Sequence, residues 1–105
     1  MIGQATPLAD LTEKEWQQQV VSLARTLNYA VYHTFDSRRS QPGFPDLVLI
    51  GRKLLFIECK SERGKLSEAQ ERWLDMLRRA GAEAYVLRPS DLDLLGGILT
   101  DRRAA

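Results

Sequence analysis

The chain has 105 residues and a mass of 11.9 kDa, the size of one domain, with 44% hydrophobic and 28% charged residues and no low-complexity tract, which favours a folded soluble protein over disorder. A net charge of +1 speaks against a surface coated throughout in phosphate contacts, so local clusters of basic residues carry more meaning than the total. No apolar run approaches the roughly 20 residues of a membrane span, and the first ten residues lack a signal peptide's basic and apolar regions, so a cytoplasmic protein is expected. Cys59 is the single cysteine, which rules out an internal disulfide and a zinc knuckle.

Thr12 followed by Glu15 forms a capping box, and a helix is expected from there to Leu27. Trp16, Val20, Leu23, Ala24 and Leu27 fall on its buried arc, with Glu13 and Gln17 beside it. A carboxylate held at that edge needs a cation or a partner. Residues 29–35, rich in aromatic and β-branched side chains, read as a strand. The polar loop 36–45 follows, with two prolines, a glycine and the pair Arg38-Arg39. Strands are expected at 46–50 and 54–60, and the three-residue link Gly51-Arg52-Lys53 implies an antiparallel hairpin. Their nearly continuous apolar runs suggest central strands covered on both faces. Ser67 starts a second helix to about Ala80, with Ala69, Trp73, Met76, Leu77 and Ala80 as its core stripe and Gly81 as its stop. A strand at 83–88 and a short apolar helix at 90–99 complete the chain. The helical crossover before the last strand permits a parallel pair, giving a mixed sheet flanked by helices in the order α-β-β-β-α-β with a short C-terminal helix, an α/β fold.

The chemistry lies in Gly43-Phe44-Pro45-Asp46 and, twelve residues after the aspartate, Glu58-Cys59-Lys60. Side chains alternate along a strand, so Glu58 and Lys60 share a face while Cys59 points to the other. Across the hairpin Asp46 lies at the same end as Glu58. Two such carboxylates repel each other unless a cation sits between them, and hard oxygen donors suit Mg²⁺ or Mn²⁺. Lys60 on that face could orient an attacking water or stabilise a phosphoryl transition state. The bland reading is an Asp that ends a loop and a Glu-Lys ion pair at a strand end.

These residues, with Glu13 and Gln17, Tyr32-His33, residues 36–40, Gly64-Lys65-Leu66-Ser67 and Gln70, resemble the VRR-NUC (virus-type replication-repair nuclease) domain of the PD-(D/E)xK superfamily, in its small stand-alone bacteriophage form. The likeness covers about residues 11–92 and implies a restriction-endonuclease-like core in a single domain, 1–105. It implies that Asp46, Glu58 and the Cys59 backbone carbonyl ligate Mg²⁺ or Mn²⁺, that Glu13 reaches the metal through water, and that Lys60 is the catalytic lysine. Gln70 resembles the family's active-site glutamine, although Ser67 and Gln70 also read as a capping box. Gln17, His33, Ser37, Arg38, Arg39 and Lys65 are the expected DNA contacts; for His33 an ordinary strand histidine is the alternative. The compact members resemble Holliday junction resolvases that act as homodimers, since paired nicks in a four-way junction need two active sites related by a two-fold axis. The apolar segment 92–99 is a candidate dimer surface or simply a closing helix. The resemblance thus implies a divalent-metal-dependent, structure-selective DNA endonuclease. A less selective flap or end-directed nuclease and an inactive DNA-binding module are the alternatives.

Overall fold

The computed structural model describes residues 7–34 and 41–101. Ser37, Arg38, Arg39 and the Arg102-Arg103 pair lie outside the described residues. A short 3₁₀ turn, Leu8–Asp10, leads into α1 (Glu13–Thr26), then β1 (Ala30–His33), β2 (Leu47–Ile50), β3 (Leu54–Cys59), α2 (Glu68–Arg79), β4 (Glu83–Leu87), a 3₁₀ turn at Pro89–Asp91 and α3 (Leu92–Thr100). The strands form one sheet in the order β1-β2-β3-β4, the first three antiparallel and β3 with β4 parallel. This is the mixed sheet that the element order called for. No helix among the described residues is long and apolar enough to cross a membrane.

Helix α1 starts as its sequence dictates. The Thr12 hydroxyl accepts from the Glu15 N–H at 3.1 Å, and the Glu15 carboxylate accepts from the Thr12 N–H at 2.9 Å. It ends at Asn28, whose φ of 69° is the left-handed conformation asparagine tolerates at helix ends. Trp16, Val20, Val21 and Ala24 are buried, while Leu23 and Leu27 are half-buried, so the buried stripe takes in Val21.

Below α1 lies the core. Leu47 and Leu49 of β2, Leu55, Ile57 and Cys59 of β3 and Leu87 of β4 point to it, joined by Tyr29 and by Leu95, Ile98 and Leu99 of α3. The Tyr29 hydroxyl donates to the Leu99 carbonyl at 2.9 Å and the Trp16 indole N–H to the Leu87 carbonyl at 2.8 Å, so the polar tips of both rings are satisfied in the interior. Segment 92–99 is therefore a closing helix. Its apolar side chains serve this core, and Leu94 is the large exception, 54% exposed.

The second face of the sheet differs from expectation. Ile50 and Leu54 are each 53% exposed, and Val48 and Phe56 are half-buried, so the central strands are fully covered on one face only. The reason is helix supply: among the described residues α2 packs there, chiefly against β4. Its stripe is also displaced from the expected one. Leu74 is its buried residue, with Gln70, Trp73 and Leu77 half-buried, whereas Met76 is 49% exposed and Ala80 is exposed. Positions 70, 73, 74 and 77 face the sheet, and that puts a polar side chain, Gln70, inward.

Candidate active site

The β2–β3 register pairs Leu47 with Ile57, and one step further along it places Asp46 opposite Glu58, on the face shared with Val48 and Phe56. Three interactions aim Asp46. Its carbonyl accepts from the Thr34 N–H at 2.8 Å, its Oδ2 accepts from the Cys59 N–H at 2.9 Å, and Pro45 before it is buried. The side chain thus takes the place of a ladder partner at the strand end. Upstream, Phe44 packs edge-on against Phe56 and Trp73, with ring centroids 6.0 and 5.2 Å away, and the Trp73 indole N–H donates to the Pro42 carbonyl at 3.1 Å. Trp73, expected in the core, instead anchors the loop that delivers Asp46. Gly43, at φ 95°, lies so near Ala69 that an added Cβ would sit 2.5 Å from that residue's backbone carbon.

Glu58 is the one buried charged side chain among the described residues, 1% exposed. Burial first, and then the facing Asp46 carboxylate, push its carboxyl up to about 8, while the Lys60 ammonium pulls the other way. Gln70 donates from Nε2 to Glu58 Oε2 at 3.1 Å, and its Oε1 accepts from the Ser67 N–H at 2.9 Å. The two readings of Gln70 are both true: one end of its amide caps α2 and the other holds Glu58.

Lys60 has only 12% of its side chain exposed, and its Nζ lies 3.7 Å from Glu13 Oε1. Glu13 is nearly half-exposed, so its partner is a lysine at the rim and its position costs little desolvation. The Cys59 thiol is buried on the opposite face, and burial raises its pKa, which keeps it neutral and out of any ligand set.

Not every expected residue joins this cluster. Gln17 and His33 line, with Lys14 and Arg25, a separate hollow of about 630 Å³ beside α1. Lys65 lines another of about 480 Å³ with Arg63 and Arg88. Two other cations have carboxylate partners. Lys53 bridges Glu83 and Asp101 at 3.5 and 3.4 Å with 7% of its side chain exposed, and Arg79 pairs with Asp75 at 3.0 Å. Trp73 and Arg88 were invisible as site-building residues, because their roles come from contacts across the fold that no local spacing encodes.

The family model of the VRR-NUC domain matches residues 5–91, most of the chain. The chain belongs to the VRR-NUC domain family. A solved structure described as a VRR_NUC domain protein shares this fold with a TM-score of 0.65 and 24% identity, over 87% of this chain and 92% of that one. No curated protein matches. Membership makes the chain a nuclease domain of the PD-(D/E)xK type, whose members generally use divalent metals.

The donor chemistry of this VRR-NUC domain fits a hard cation. Among the described residues no three His, Cys, Asp or Glu side chains close around one point. Two opposed carboxylates do face each other, with burial and Asp46 pushing the Glu58 carboxyl up, and such a pair of hard oxygen donors suits a divalent ion.

Proposed function

We propose that this VRR-NUC domain is a divalent-metal-dependent endonuclease that nicks branched DNA, four-way junctions foremost, and that it does so as a homodimer. The observation that carries the reading is the buried Glu58 directly across the hairpin from Asp46, with Lys60 following on the same face. Asp46, Glu58 and the Cys59 carbonyl would hold Mg²⁺ or Mn²⁺, and Glu13 would reach it through water. Bound there, the cation supplies Lewis acidity at the scissile phosphate and at the attacking water.

The chain's own residues do the rest. Gln70, fixed by its capping bond, sets the Glu58 carboxylate plane. The Cys59 N–H does the same for Asp46. Lys60, steadied by Glu13, brings a positive charge to the face where negative charge builds on phosphorus, and its ammonium can hold the attacking water. Gln17 and His33 on the α1 hollow, Lys65 on the other, and Ser37, Arg38 and Arg39, which precede Asp46 in the sequence, would hold the DNA backbone. The substrate calls for two-fold symmetry: one such site nicks one strand, and resolving a junction takes two.

The test is cleavage of labelled four-way junction, flap and linear duplex in Mg²⁺, Mn²⁺ or EDTA, with sedimentation to give the mass in solution. Paired metal-dependent cuts in the junction by a dimer support the proposal. Preferential cutting of flaps or ends rejects the junction while keeping the active site, and no cutting in any metal rejects the enzyme.

A further inference from the structure

Directly after Lys60 the chain enters a loop, residues 61–66, with no strand to pair with. Short loops of this kind leave carbonyls that need donors. Arg88, just past β4, provides them: its Nη1 alone donates to the carbonyls of Ser61 at 2.8 Å, Glu62 at 3.2 Å and Gly64 at 2.6 Å. The tie is reciprocal. Glu62 Oε1 accepts from the Ser90 N–H at 3.0 Å and its Oε2 from the Ser90 hydroxyl at 2.7 Å, while Asp91 fixes the Arg88 N–H at 2.8 Å. The hydrogen bonds from Ser90 hold the Glu62 carboxyl below its usual range, so this acid is turned toward residue 90 as a charged acceptor. Lys60 enters the loop with its own N–H on the Leu87 carbonyl. The loop is thus clamped at both ends to the chain leaving β4.

What the clamp displays is positive. Arg63 and Lys65 are exposed and line, with Arg88 and the carboxylates of Glu62 and Glu71, the hollow of about 480 Å³. With Glu62 turned to Ser90 and Arg88 to the loop carbonyls, Arg63 and Lys65 are the exposed cations that the open hollow offers a ligand, and the pair suits a polyanion more than a small neutral ligand. We propose that residues 61–66 form a second phosphate subsite, in which Arg63 and Lys65 grip a DNA backbone phosphate next to the scissile one, and that Arg88 is a positioning residue that holds the loop in the gripping shape. The subsite rests on the nuclease reading of the neighbouring cluster.

The experiment uses the full chain and a labelled four-way junction, with binding read by anisotropy in EDTA over a NaCl series and cleavage read in Mg²⁺. The variants are Arg63→Ala with Lys65→Ala, Arg88→Ala, Arg88→Lys, and the triple alanine protein. Loss of the grip on one phosphate should flatten the slope of log K against log salt by about 0.9 and raise KM about tenfold, with kcat within about twofold. Arg88→Ala should reproduce that change, and the triple variant should be no worse than either parent, because all act through one loop. Arg88→Lys should recover binding, since one ammonium nitrogen carries three protons for the three carbonyls now served by one Nη1.

The subsite falls if the Arg63→Ala, Lys65→Ala protein keeps the wild-type slope and KM. The positioning role falls if Arg88→Ala multiplies with the double variant, or lowers kcat at unchanged KM. Should Arg88→Ala fail to fold, Arg88→Lys and the double surface variant decide the matter. Wild-type protein that cuts nothing, yet shows the predicted slopes, would sink the nuclease reading and leave the phosphate grip standing.

Discussion

Replacing Glu58 by Gln probes the site without changing its shape. The amide carbonyl introduced at position 58 can accept from Gln70 as Glu58 does, and the amide NH₂ can donate toward Asp46 as a protonated carboxyl would. The titration is removed, and with it the anionic donor to a metal. In the metal-free protein the Glu58 carboxyl stands at about 8 against an ordinary 4.5, so between those values the folded state holds more protons than the unfolded one. Stability then falls as pH rises through this window, the sign set by proton linkage. From pH 6 to pH 9 the loss amounts to about 3 kcal/mol at roughly 1.4 kcal/mol per unit, which is on the order of 10 °C in Tm for a domain of this size. Thermal melts in EDTA across that range should show the decline in the wild type and a flatter profile in Glu58→Gln. Mn²⁺ should raise the wild-type Tm most at high pH and leave the variant's Tm nearly unchanged. Parallel profiles for the two proteins in EDTA would refute the buried, proton-sharing pair.

Four further outcomes follow from the geometry. Lys60→Ala should slow cleavage at least a hundredfold in single-turnover assays while Mn²⁺ affinity changes little, and its stability cost should stay within about 1 kcal/mol because its partner Glu13 is nearly half-exposed. Gly43→Ala should destabilise by about 2 kcal/mol or more in urea melts and reduce cleavage, since φ of 95° and the Ala69 backbone both oppose a Cβ three residues before Asp46. Leu74→Ala should cost about 2–5 kcal/mol, being the buried anchor of α2, whereas Met76→Ala should cost under about 1 kcal/mol by the same measurement. Gln70→Ala should weaken Mn²⁺ binding and also lower Tm, because it removes both the brace on Glu58 and the cap of α2.

Much of this architecture is written locally. Thr12 with Glu15 and Ser67 with Gln70 form capping boxes that needed no tertiary knowledge, and the three-residue link at Gly51 fixed the hairpin whose register opposes Asp46 and Glu58. The carboxylate pair was therefore legible from strand periodicity and hairpin geometry alone. Features set by how many helices cover each face were not. The apolar runs of β2 and β3 read as doubly covered, yet among the described residues α2 is the helix on the second face, and Ile50 and Leu54 stay half-exposed. The stripe of α2 was misplaced because Gln70 is polar. An inward amide looks like an error in an apolar pattern until the buried carboxylate it holds is known. Arg88 gave no signal, its three carbonyl partners lying 24 to 27 residues away in the chain.

Cleavage of a labelled four-way junction in Mn²⁺ by wild-type protein and by Asp46→Asn is the most direct test. Asparagine can still accept the Cys59 N–H, so the fold should hold while the anionic ligand is lost. Nicking by the wild type that EDTA abolishes, together with an Asp46→Asn protein that melts normally and cuts nothing, is the predicted result. Equal cutting by both proteins would place the chemistry elsewhere and contradict the assignment of Asp46 and Glu58 as the metal-binding pair.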